Sequence, residues 1–474
     1  MILKKLFGMI SNRNSSIPKK TLLIFICLTL TFSLFGCATN VNPFEPVVDN
    51  AKPKSIFVFM DGTTNNPDVP TNVFRLFHEI QTPKDNQTVA IYIEGVGNDE
   101  EVVQKYISEI FARGMEERIL RGYRFLVKHY QPGDRIYIFG FSRGAFTARS
   151  LAGMISYAGV SKPSDGDDES LWDYNPFTTG YTFGNKILEK VKEQEDFKKA
   201  CTWKSWERGN VPPLKNEIKT QVTTFFGKQI DINVQNAEVE FLGVWDTVPG
   251  SQFINYFEGQ NDLVCKKPLL TDDKQRYQLD SYPPIHHIAH AISKDEKRSE
   301  FRPLFLCSKH INSDSVHNEQ LTKLDEKVFP GAHADVGGGY KDKNNQLPEI
   351  SLNWMISKLN DHYALKSNYK GKSEGLGHLS ISDKPLYIIE MECKDRKLPP
   401  YIKNHDSITE RNDAGAVPWV YFDKKPKDEA IEKKQSGNEP EDTCIKPADT
   451  TNKNKKENIL CIKQSNITCK ALDY

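Results

Sequence analysis

Three side chains that together can make an alcohol reactive occur along this chain in a telling order. Ser142 stands within Gly140-Phe141-Ser142-Arg143-Gly144, after the apolar run Ile136-Tyr137-Ile138-Phe139. Small and apolar residues then recur at helical spacing from Ala145 through Leu151 to Ile155. That pattern predicts strand, sharp turn, helix. A serine at the apex of such a turn is held clear of the sheet, and the flanking glycines remove side chains that would collide. A hydroxyl is a poor nucleophile at neutral pH, so the chemistry also needs a histidine to take its proton and a carboxylate to orient that histidine. The apolar run Ala237 to Trp245 ends at Asp246, and Lys327-Val328-Phe329-Pro330-Gly331 leads into Ala332-His333 beside a glycine-rich turn. Ser142, Asp246 and His333 are therefore the candidate nucleophile, acid and base.

The elements that must position them read as an α/β fold of α/β-hydrolase type: a mostly parallel sheet with helices on both faces and a mixed insertion. Ser55 to Met60 is a buried strand by its continuous apolar character, and Val89 to Ile93 is a second. Glu101 to Tyr130 carries helical periodicity, expected to break near Gly114. The loop Asp61-Gly62-Thr63-Thr64-Asn65-Asn66 follows the first strand. Backbone N–H groups of Arg143 and of Gly62 or Thr63 are the candidate oxyanion donors. The string Val58-Phe59-Met60-Asp61-Gly62-Thr63 also resembles an aspartate-nucleophile phosphatase motif, but Phe59 stands where that chemistry needs a second acid.

Other clusters are read more plainly. His286, His287 and His290 are expected on a helix from Ile285 to Lys294; they lack the glutamate of a zinc-protease motif, and no metal or other cofactor is implied. Asp295 to Arg298 reads as ion pairs supporting the core, and Asp335 as a turn-capping carboxylate or a fallback partner for His333. Between residues 160 and 236 lies an insertion dotted with aromatics, including Trp172, Phe183 and Trp206, where a lid or further core would sit. Its acidic cluster at Asp165, Asp167, Asp168 and Glu169 reads as a solvated loop. Pro348 to Leu359 is expected as a closing helix, and Tyr387 to Met391 and Pro418 to Phe422 as peripheral strands.

Composition bounds the whole. The 474 residues are 38% hydrophobic and 27% charged, with 63 basic and 63 acidic residues, so one large domain with appendages fits and no nucleic-acid partner is implied. A basic start, then the apolar stretch Thr21 to Phe35, is shorter than the ~20 residues of a membrane span and ends Leu34-Phe35-Gly36-Cys37. It resembles a bacterial lipoprotein signal, with Cys37 as the lipidated first residue. The expected organisation is a signal over 1–37, a linker over 38–53, a catalytic domain over 54–422 and a polar, disordered tail over 423–474. Nine cysteines less Cys27 and Cys37 leave an odd set, of which Cys444, Cys461 and Cys469 are the expected bridging residues.

Five ordered blocks carry a family resemblance: Met60 to Asn66, Gly140 to Arg149, Phe241 to Val248, Ala291 to Phe305 and Phe329 to Tyr340. Together they resemble the catalytic domain of the first class of type VI secretion lipase effectors, a bacterial α/β-hydrolase family long without an assigned function. The resemblance spans roughly Lys54 to Phe422 with an unmatched middle. It implies a serine hydrolase acting on phospholipid or other ester substrates, with its triad on Ser142, Asp246 and His333. It further implies a secretion-apparatus or immunity partner. The lipoprotein-like signal adds a membrane surface met through Cys37, on the periplasmic side of the outer membrane of a Gram-negative envelope. A carboxylesterase on soluble esters and a catalytically idle envelope protein are the alternatives.

Overall fold

The structure is a computed structural model describing residues 41–62, 70–81, 87–95, 104–164, 183–193, 214–221, 231–248, 285–298, 301, 303–306, 322–340, 345–366, 369–375, 377–379, 391–392, 396, 398–400, 402–414 and 419–421. It adds the short strands Thr224–Phe225, Lys228–Gln229, Cys444–Ile445, Leu460–Cys461 and Thr468–Cys469. Thr63, Cys37, the acidic cluster and most aromatics of the middle segment lie outside the described residues.

Strands β1 (Ser55–Met60), β2 (Thr88–Ile93) and β3 (Arg135–Phe141) are joined by helices α1 (Asn72–Ile80) and α2 (Gln104–His129). Helix α3 (Arg143–Ala158) follows β3, and the short β4 (Val160–Pro163) pairs antiparallel with β5 (Ile232–Gln235), tying together the two ends of the insertion. Helices α4 (Phe183–Lys192) and α5 (Lys215–Gln221) lie between them. The chain then runs through β6 (Val239–Trp245), β7 (Ile285–Ser293), β8 (Lys323–Phe329), the short α6 (His333–Gly337), α7 (Leu347–Leu359), β9 (Lys403–Asn404) and α8 (Asp406–Asp413).

Seven of these strands form one sheet in the order β9-β8-β7-β6-β3-β1-β2, and every pairing in it is parallel. A parallel sheet needs cover on both faces, which is why the strands β1, β2 and β3 are apolar along nearly their whole length rather than alternating. Alternate residues feed two separate cores. Ile56, Val58, Ile136 and Ile138 pack with α2 through α5, whereas Phe57, Phe59, Tyr137 and Phe139 pack with α1 and α7. The second core is aromatic, with Phe57 stacked on Tyr137 at 4.5 Å and Phe59 on Phe139 at 5.2 Å.

Two expectations are corrected. The segment carrying the three histidines is the strand β7, not a helix. Helix α2 passes through Gly114 unbroken, its carbonyl there accepting from Arg118 Nη1 at 2.8 Å. The expected linker is also more than a spacer: Phe44 exchanges backbone hydrogen bonds with Ala90 at 2.8 and 2.9 Å, and Glu45 pairs with Lys128 and His129. It thereby lies against the outer edge of β2, the last strand of the sheet. In the tail, Cys444 stands opposite Cys461 in a two-residue antiparallel ladder.

Candidate active site

The chain runs outward from β1 to β2 and then returns to place β3 on the other side of β1. Such a reversal opens a crevice at the carboxyl ends of the strands, where open α/β sheets take their ligands. The loops at that end carry Asp61 after β1, Ser142 after β3, Asp246 after β6 and His333 after β8.

Ser142 sits at φ 58° and ψ −125°, in the left-handed half of the map that a side chain normally avoids. Its neighbours impose the turn. Its amide donates to Trp245 O at 3.0 Å, and its carbonyl accepts from the amides of Ala145, Phe146 and Val248. Two glycines make room: a Cβ on Gly140 would lie 2.4 Å from the Gly144 carbonyl oxygen, and one on Gly144 would lie 2.2 Å from that of Met60. Although Ser142 precedes the first turn of α3, its hydroxyl makes no capping bond to the helix.

Asp246 is the other non-glycine residue at positive φ among the described residues, at 39°. It is fully buried, and each oxygen is occupied. Oδ2 accepts from His333 Nδ1 at 2.5 Å, from Ser293 Oγ at 3.1 Å and from Arg396 Nη2 at 2.9 Å. Oδ1 accepts from the Ser293 amide at 2.9 Å and from Arg396 Nη1 at 2.6 Å. Burial alone would raise the carboxyl pKa; the Arg396 guanidinium and His333 overcome it and hold the group far below the carboxylate range. Asp246 is therefore ionised.

With Nδ1–H given to Asp246, the imidazole of His333 presents Nε2 as its acceptor, and Nε2 is buried without a hydrogen-bond partner. Burial lowers the pKa of this histidine, against the opposing pull of Asp246, so the ring rests neutral. Its plane is set by Phe141, one residue before Ser142, at 4.6 Å, and by the edge-on Phe301 at 5.0 Å. Glu296 Oε2 accepts the His333 amide at 3.2 Å. Arg298 grips Glu296 at 2.8 and 2.9 Å and lies 3.6 Å over the Phe301 ring. This buried pair is the ion pairing expected of Asp295 to Arg298, and burial notwithstanding, Arg298 holds Glu296 down at about 2. Asp335 is a turn cap, its Oδ2 accepting the Ala332 amide at 2.9 Å.

The candidate oxyanion donors fare differently. Arg143 opens α3 directly after the serine. The Gly62 amide is already given to Asp61 Oδ1 at 2.7 Å, so in this conformation it is not free for a ligand. Asp61 also accepts from Thr71 Oγ1 and Tyr92 Oη, each at 2.6 Å, and burial pushes its carboxyl up to about 6.

The histidines of β7 are paired with carboxylates on β8 or just before β6. His286 Nε2 meets Glu238 at 2.6 Å, His287 Nε2 meets Asp325 at 2.8 Å and His290 Nδ1 meets Glu326 at 2.9 Å. His290 also supports the acid turn, since its Nε2 accepts the Thr247 amide at 3.2 Å. Sequence reasoning missed Ser293 and Arg396 as partners of Asp246. Ser293 ends β7 near the start of the block Ala291 to Phe305, two residues before Asp295, a position that could have been read; Arg396 carries no local signal.

The chain is similar to several known proteins. An uncharacterized protein of Saccharomyces cerevisiae, YEL023C, is 26% identical over 286 residues, covering 57% of this chain and 34% of that one. This chain thus spans about a third of the length of that curated relative. Among solved structures, a Tle1 effector bound to the VgrG spike of the type 6 secretion system is similar at 19% identity and TM-score 0.28, over 61% of this chain and 51% of that one. Esterase 2 of Thermogutta terrifontis is similar at 11% identity and TM-score 0.33, over 69% and 90%. The family described as T6SS phospholipase effector, Tle1-like, catalytic domain matches residues 54–358, and the chain belongs to that family.

Proposed function

We propose that this chain is a serine hydrolase that cleaves acyl esters of phosphoglycerolipids, with Ser142 as nucleophile, His333 as general base and acid, and Asp246 as the orienting carboxylate. The observation that carries this reading is the Asp246 to His333 bond, which leaves Nε2 as an unpartnered acceptor on a ring packed 4.6 Å from that of Phe141, the residue before the serine on its strained elbow. The family description supplies the lipid class.

The reaction follows from the protonation states. Ser142 Oγ attacks the ester carbonyl carbon as its proton passes to His333 Nε2, which in this structure makes no hydrogen bond and so is open to accept it. The resulting imidazolium is stabilised by Asp246. The oxyanion is held by backbone N–H groups, of which the Arg143 amide at the start of α3 is the first. Collapse of the tetrahedral adduct breaks the ester C–O bond, and His333 returns the proton to the departing alcohol. Water then attacks the acyl-enzyme by the same relay, releasing fatty acid and restoring Ser142.

The experiment is a comparison of fatty-acid release from phosphatidylglycerol and phosphatidylethanolamine vesicles with hydrolysis of a short-chain ester held below its micellar concentration. The reading expects turnover to rise at least ~10-fold per active serine on the vesicles, since binding energy from remote acyl chains can be drawn on at the reacting carbonyl. Turnover on the dispersed ester with none on vesicles would replace the lipase by a soluble-ester esterase.

Residence on a membrane is a second part of the proposal. Cys37, as a lipidated first residue, would place the domain within a few residues of a bilayer, because the chain from Phe44 onward is already docked on the sheet edge. Substituting Cys37→Ser should move the protein from the membrane fraction to the soluble fraction; unchanged fractionation would remove the anchor. A Tle1 effector was solved on a VgrG spike. A secretion-apparatus partner is proposed here on family membership alone.

A further inference from the structure

The geometry points to Arg396 as a positioning residue that neutralises the Asp246 carboxylate and so keeps the His333 imidazole in its proton-accepting form at lower pH than Asp246 alone would allow. This rests on the hydrolase reading above and deepens it. Arg396 lies beyond the residues matched to the family, 150 positions along the chain from Asp246, yet its side chain is only 4% exposed and ends on the acid.

All of its described contacts converge there. Nη1 donates to Asp246 Oδ1 at 2.6 Å, to Ser293 O at 2.8 Å and to Ser293 Oγ at 2.7 Å. Nη2 donates to Asp246 Oδ2 at 2.9 Å and to the Phe301 carbonyl. Such a two-pronged grip is the strong form of an arginine–carboxylate pair. It is not needed to satisfy the carboxylate. Ser293 already supplies Oδ1 with an amide donor, and His333 and Ser293 Oγ supply Oδ2 with two. What Arg396 adds beyond those bonds is a positive charge.

The effect of that charge follows from what surrounds the imidazole. Asp246, after β6, faces Nδ1; Glu296, after β7, faces the His333 amide and is itself paired with Arg298. Asp295 and Asp335 are turned into the 331–335 loop, where they accept the amides of Gly331 and Ala332. The near charges thus come as two cancelling pairs, Asp246 with Arg396 and Glu296 with Arg298. Removing Arg396 leaves Asp246 as an unbalanced buried anion in contact with the ring. Such an anion favours the imidazolium, which has no lone pair at Nε2 to take the Ser142 proton. By the same step the Arg396 charge weakens the imidazolium in the transition state, so its removal trades activity at acid pH against the plateau.

The test is the rate of Ser142 labelling by a fluorophosphonate, followed from pH 4 to 9 on the full chain. Expected for Arg396→Gln is an acid limb displaced upward by about one pH unit, so that labelling below the midpoint falls ~10-fold relative to the plateau. Arg396→Lys, which keeps the charge and loses the fork, should keep the wild-type midpoint while its plateau drops. An R396Q limb superimposed on the wild-type one overturns the proposal. Should R396Q not fold, an R396K limb displaced by a full unit overturns it equally, because the charge is then present and the protection absent. Absence of labelling in the wild-type chain at every pH would sink the hydrolase reading itself, a different failure from an unshifted limb.

Discussion

A Ser142→Ala chain should release fatty acid from phospholipid vesicles at least ~10⁴-fold more slowly than the wild type, with its thermal unfolding nearly unchanged. The size of the loss follows from the covalent route: without Oγ there is no acyl-enzyme, and only polarisation of the ester by backbone donors remains. The small structural cost follows from the turn. What holds position 142 at φ 58° is backbone, through Trp245, Ala145, Phe146 and Val248, and the hydroxyl caps nothing. Alanine at that φ is no worse placed than serine. The relay can be checked in the same assay, since residues acting as a unit are not additive. Ser142→Ala with His333→Ala should lose no more than Ser142→Ala alone. Retention of vesicle hydrolysis by Ser142→Ala, within ~10-fold of wild type, would show that this serine is not the nucleophile.

Much of this site could be read from the sequence because its parts are local. The elbow needs an apolar strand, two glycines and a small-residue helix, all within Arg135 to Ile155, and the structure builds it there. Asp246 follows directly on an apolar run and His333 stands four residues after Val328-Phe329, and each of these proved to belong to a strand of the central sheet. The three histidines of β7 show where periodicity fails. A spacing of four is even, so His286 and His290 share a face of a strand as surely as a face of a helix. What settles the matter is burial: His287 and His290 are wholly inside, which an isolated pattern of polar residues does not suggest. They are tolerated there because carboxylates from β8 meet each ring, a pairing that exists only after the strands are laid side by side. Gly114 misled in the opposite direction. One glycine in a helix interior costs about 1 kcal/mol, which 26 residues of helix carry easily.

Contacts that fix the chemistry by long reach left no trace in the sequence. Nothing around Arg396 marks it as the partner of a carboxylate 150 residues earlier. The Gly62 amide, chosen for its position after β1, is turned onto Asp61 by a hydrogen bond between adjacent residues. Whether a backbone donor faces the ligand or its own neighbour is decided by a single peptide orientation, which residue types alone do not fix.

The second large effect is expected of Asp246→Asn, and it should appear in rate and stability together. An amide cannot satisfy the five donors around Asp246, whichever way it is turned. With its oxygen toward Ser293 N and Arg396 Nη1, its NH₂ group faces His333 Nδ1 and forces the proton onto Nε2, the tautomer that cannot act as a base. With its oxygen toward His333, its NH₂ group confronts the Ser293 amide and Arg396 Nη1, donor against donor. In the first orientation the turnover falls by about 10⁴, the loss seen when a triad acid becomes an amide. In either orientation Arg396 is left as a buried cation without its anion, which typically costs about 3–5 kcal/mol. Rate and stability can then be separated. Adding Arg396→Gln to Asp246→Asn removes the stranded charge, so the double variant should melt above the single Asp246→Asn variant while remaining as inactive. A double variant that melts no higher would mean that Arg396 and Asp246 do not pair in the folded chain, and one that regains turnover would mean that the imidazole at 333 takes its orientation from another group.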